Sequence, residues 1–74
     1  MGMSLTNTQC IAARSLLGWT NERLALEAEV SPGTIIGFEM GRRKPHAATI
    51  NRIEATLEAA GIEFLDGSGV RLPL

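Results

Sequence analysis

The chain has 74 residues, material for one modest core, so a second, catalytic domain beside it is not expected. Hydrophobic residues make up 45% and charged residues 20%, the balance of a folded globule rather than a disordered tail. A formal net charge of -1 is unlike the basic balance usual for polyanion binders, so any attraction for phosphate has to come from local clustering. No stretch approaches the roughly 18 uninterrupted apolar residues of a membrane span, and the N-terminus lacks a basic-then-apolar leader, so a cytoplasmic protein is expected. Cys10 is the only cysteine; it can form neither an internal disulfide nor a cysteine-based metal cluster, and it reads as a small, half-buried helix residue.

Thr6 and Gln9 have the spacing of a capping box, and Cys10, Ala13, Leu16 and Leu17 then recur at helical intervals up to Gly18. A first helix over about 7–17 follows, closed by a left-handed glycine. Thr20 offers a hydroxyl cap for a second helix over about 21–28, whose inner stripe is Leu24, Ala25 and Ala28. Trp19 and Leu24 are spaced as a hydrophobic staple, which gives the tryptophan a packing role rather than a base-stacking one. Only Glu29 and Val30 separate this helix from the next start signal, Ser31 as cap with Pro32 in the first turn. The third helix, over about 32–40, turns Ile35 and Phe38 inward and stops at Gly41.

A basic loop of Arg42, Arg43, Lys44 and Pro45 leads to a fourth helix over about 47–60, with Ile50, Ile53, Leu57 and Ala60 at three- and four-residue steps before Gly61. Residues 62–74 then alternate like strands about Asp66, Gly67, Ser68 and Gly69. With Gly67, Ser68 and Gly69 as a three-residue loop and Gly69 left-handed, Phe64 would face Leu72 and Ile62 would face Leu74, with Leu65 and Arg71 on the other side. The expected organisation is an all-α four-helix domain over 1–61, extended by a short β-hairpin over 62–74.

Two short helices joined by a very tight turn let the second protrude into a major groove while the first braces it across the backbone. Close crossing requires a small inner residue, which Ala25 supplies. With Val30 in the turn and Ile35 and Phe38 behind it, the segment TNERLALEAEVSPGTIIGFEMGRRKP resembles the phage-repressor (Cro-type, XRE) helix-turn-helix family of transcription regulators. The resemblance runs from about Gln9 to Leu57. It implies a repressor-like fold, double-stranded DNA as partner and a homodimer, and it implies no cofactor, no metal and no enzymatic activity.

Residue by residue, the resemblance pairs Arg14 with Glu39 as a structural ion pair and puts Asn21 where the family places a phosphate-touching amide. It puts Ser31, Gly33, Thr34, Ile36 and Gly37 at or near the DNA, and makes Arg42, Arg43 and Lys44 a phosphate-contacting loop. Two departures stand out. Glu29 occupies a turn position usually held by glycine, at a cost of about 1 kcal/mol if the backbone stays left-handed. Ile36 and Gly37 stand where the family often carries side chains able to make two hydrogen bonds to a base edge. Specificity is then expected from Thr34, from Ile36 against a thymine methyl, or from DNA shape. The apolar reading face and slightly acidic balance leave an alternative, a protein-interaction module on the same fold.

Other residues read blandly. His46 has no ligand-spaced companion and sits at a helix start. Arg23 and Arg52 could be solvated or could meet phosphate. Ser15 lacks the glycine-framed turn of a nucleophile, and no nucleophile and base can be paired.

Overall fold

A computed structural model describes residues 5–66 and 69–73. In chain order it contains α1 (Asn7–Leu17), α2 (Asn21–Ala28), α3 (Pro32–Glu39) and α4 (Ala47–Ala59), then β1 (Glu63–Phe64) and β2 (Val70–Arg71). Each of the first three helices is started by a hydroxyl that takes up a backbone N–H left free by the first turn. Thr6 accepts from Gln9 N at 3.1 Å while the Gln9 side chain accepts from Thr6 N at 3.0 Å, closing the capping box. Thr20 accepts from Arg23 N at 3.0 Å, and Ser31 accepts from Thr34 N at 3.2 Å with Pro32 in the first turn. α4 starts at His46 with no side-chain cap.

The ends obey backbone geometry. Gly18 closes α1 at φ 69°, and Glu29 closes α2 in the same left-handed region at φ 60° and ψ 44°. α3 ends at Glu39 and α4 at Ala59, each one residue earlier than the pattern predicts, because Met40 and Ala60 act as right-handed C-caps before Gly41 and Gly61 turn the chain.

α2 packs against α3 and α4, while α1 packs on α3, α4 and β2. Ala25 is 1% exposed, and its carbonyl accepts the Val30 N–H at 3.0 Å, so the tight turn folds directly over the helix crossing. Cys10, Ala13, Leu24, Ala28, Ile35, Phe38, Ile50, Ile53 and Leu57 complete the helical core. Three details depart from the sequence reading. Cys10 is fully buried rather than half-buried, and Leu16 is 48% exposed because the inner stripe of α1 runs through Gln9, Cys10 and Ala13 instead. Leu5, ahead of the first helix, also joins the core.

β1 and β2 form an antiparallel pair in which Phe64 faces Val70 and Glu63 faces Arg71. Phe64 therefore does not face Leu72: the register is shifted by two residues from the expected one. Leu65 N–H donates to Gly69 O at 2.9 Å, and Gly69 is not left-handed, so it belongs to the paired segment rather than to the loop. A two-residue shift preserves the strand period, so Phe64, Val70 and Leu72 still pack together against the core. Gly67, Ser68 and Leu74 lie outside the described residues. Ile62, just past the expected boundary, is 3% exposed, which ties the hairpin to the helical core.

Candidate nucleic-acid interface

α3 buries Ile35 and Phe38. Its 100° step per residue then leaves Gly33, Ile36, Gly37 and Met40 on the outer side. Ile36 is 38% exposed and Met40 58%, whereas Thr34 is half-buried with its hydroxyl 2.8 Å from Ser31 Oγ. The outer face is thus low in side-chain donors and acceptors. Asn21, the first residue of α2, is half-buried beside its Thr20 cap.

Beyond α3, Gly41 adopts φ 74° and the loop turns back on the helix. The N–H groups of Arg42 and Arg43 both donate to Gly37 O, at 2.9 and 3.1 Å. This holds the start of the basic loop against α3 while leaving Arg42, Arg43 and Lys44 exposed. Arg52, on α4, lines the same shallow groove as Arg43, Lys44, Ser31 and Thr34. Sequence spacing does not decide the role of Arg52, because only the packing of α4 brings it to the groove. Glu29 contributes the one carboxylate lining this groove.

The remaining cations are occupied. Arg14 donates from Nε and Nη2 to the two Glu39 carboxylate oxygens, both at 2.9 Å, and from Nη1 to Trp19 O at 3.0 Å. The Glu39 side chain is only 7% exposed, so this fork ties α1 to the end of α3 in a partly desolvated setting. The bond to Glu39 raises the Arg14 pKa further above its ordinary value, keeping the guanidinium charged. Cys10 Sγ also donates to Glu39, at 3.3 Å, and burial followed by that bond pushes the thiol far above the usual range. Arg23 pairs with Glu27 at 2.9 Å and lies 4.9 Å from the centre of the Trp19 ring, and Arg71 meets Glu63 at 2.7 Å. Among the described residues, Arg42, Arg43, Lys44 and Arg52 are the cations without a carboxylate partner.

Among the described residues no helix is long and apolar enough to cross a membrane, and no group of His, Cys, Asp and Glu side chains could hold a metal ion. No curated protein matches the chain. A family model described as helix-turn-helix matches residues 11–64, from the middle of α1 through β1. The chain therefore belongs to the helix-turn-helix family of the phage-repressor (Cro, XRE) type, a family of DNA-binding regulators.

Proposed function

We propose that the protein is a cytoplasmic transcriptional repressor that places α3 in the major groove of double-stranded DNA and occupies its operator as a homodimer. One observation carries the reading: the cations without a carboxylate partner among the described residues gather beside α3, in its following loop and in the adjoining groove. The net charge of -1 is no obstacle, because screening limits each charge to about 10 Å and the groove beside α3 is lined by Arg43, Lys44 and Arg52 against one carboxylate, Glu29.

In this arrangement Arg42, Arg43 and Lys44 bring positive charge to the phosphates, with the Asn21 amide adding a contact at the start of α2. Gly33 opens the start of α3 to close approach, with Ser31 and Thr34 at its edge. Ile36 meets a thymine methyl group, and Gly37 carries no side chain into the groove. Selection from random duplexes tests the reading. The expected product is a pseudo-palindrome with half-sites about 34–36 Å apart, one helical turn. Unenriched sequence, with no duplex retained, would favour the use of this fold as a protein-interaction module.

A further inference from the structure

Glycine is unfavourable inside a helix, and Gly37 needs no special backbone conformation, since it is not among the described residues with positive φ. Space explains it. A Cβ at Gly37 would stand 3.1 Å from Arg43 Cβ, 3.7 Å from Arg43 Cδ and 3.7 Å from Arg43 Nε. The Arg43 side chain therefore crosses the outer face of α3 where a side chain at 37 would stand. The crossing is anchored at its base, because Arg43 N–H donates to Gly37 O at 3.1 Å. Gly33, the other glycine on this face, has only Ser31 Oγ at 4.0 Å and hosts no such neighbour. Among the described residues the Arg43 guanidinium has no carboxylate or other hydrogen-bond partner.

We infer that Arg43 is the specificity-determining residue: laid across Gly37, it supplies from the loop the polar reading group that α3 lacks, and it reads a guanine. The chemistry follows from the fork of the guanidinium, which matches the O6 and N7 acceptors of guanine in the major groove. Arg42 and Lys44 keep the backbone-contacting role. The inference rests on the DNA-binding reading above, and the experiment separates the two.

Affinities are measured for the selected duplex and for each of its single base-pair variants. The wild type is expected to prefer G·C at one position of each half-site by about tenfold or more. Arg43→Ala loses that preference and keeps the others, whereas Arg42→Ala weakens all duplexes by a common factor. Gly37→Ala, which leaves Arg43 in the chain but places a methyl group against its stem, loses the same preference while the protein stays folded. If Arg43→Ala instead weakens every duplex equally, Arg43 is a phosphate contact and the inference falls while the DNA reading stands. An unaltered preference in Gly37→Ala overturns the seating of Arg43 on that glycine. A wild type that binds no duplex in a salt-dependent way overturns the DNA reading and this inference with it.

Discussion

Replacing Glu29 with glycine should stabilise the protein. Glu29 ends α2 at φ 60° and ψ 44°, where an L residue is disfavoured by about 1–2 kcal/mol. Its backbone N–H bonds to Ala25 O and Leu26 O are available to any residue, and among the described residues its exposed side chain makes no hydrogen bond or ion pair. Against the relieved strain stands the larger entropy of glycine in the unfolded chain, about 0.4–1 kcal/mol. Removing a carboxylate from a helix C-terminus returns about 0.3 kcal/mol or more. The net gain is about 1 kcal/mol, a rise in melting temperature of about 4–8 °C for a domain of this size. Glu29→Ala isolates the backbone contribution, since it removes the carboxylate but keeps a Cβ in the left-handed region. Thermal denaturation followed by circular dichroism should place Glu29→Gly clearly above Glu29→Ala. Equal midpoints would refute the strain argument. Because Glu29 lines the groove that holds Arg43, Lys44 and Arg52, both variants should also tighten DNA binding.

Ala25→Leu should lower stability by about 1–3 kcal/mol or more, because added methylenes have no room where α2 crosses α3; an unchanged melt would mean that the crossing is not close. Arg14→Ala should cost about 3 kcal/mol in urea denaturation by leaving the Glu39 carboxylate buried without its guanidinium. Arg14→Met combined with Glu39→Leu should recover most of that loss, and an equal or greater loss would contradict it. The Cys10 thiol is raised from its ordinary 9.0 by burial and by its bond to Glu39. Its stabilising effect is therefore full below pH 9.0 and fades at higher pH, as the unfolded thiol ionises and the folded one does not. Above that pH the wild type should lose up to about 1.4 kcal/mol per pH unit more than Cys10→Ala does. Parallel pH profiles would contradict this. The proposed homodimer, with the exposed side of the hairpin as its candidate interface, should sediment as a dimer at micromolar concentration, and Leu65→Glu, at a residue 40% exposed beside the hairpin, should yield a monomer that keeps its helical circular dichroism at 25 °C; a monomeric wild type removes the dimer.

What sequence could reveal was set by whether the signal was local. The capping box at Thr6 and Gln9, the caps at Thr20 and Ser31, and the glycine at Gly18 act within a few residues, and the helices they frame match to within one residue. The hairpin register depends on loop geometry, and alternation cannot distinguish two registers that differ by two residues, so the sequence pattern pairs Phe64 with Leu72 where the structure pairs it with Val70. Arg14 and Glu39 are 25 positions apart and could be matched only through the family resemblance. The contribution of Arg52 and the seat of Arg43 on Gly37 arise from packing between elements, and nothing in residue spacing announces them.

The claim that this domain grips DNA through the cations beside α3 is tested most directly by a salt titration of duplex binding, wild type against the combined Arg42→Ala, Arg43→Ala and Lys44→Ala variant. Affinity for the wild type should fall steeply as salt rises, with a log–log slope of about -0.9 for each phosphate neutralised. The variant should give a slope shallower by about two to three contacts, with a melting temperature equal to that of the wild type. Equal slopes for the two proteins, or a wild-type affinity indifferent to salt, would contradict the account.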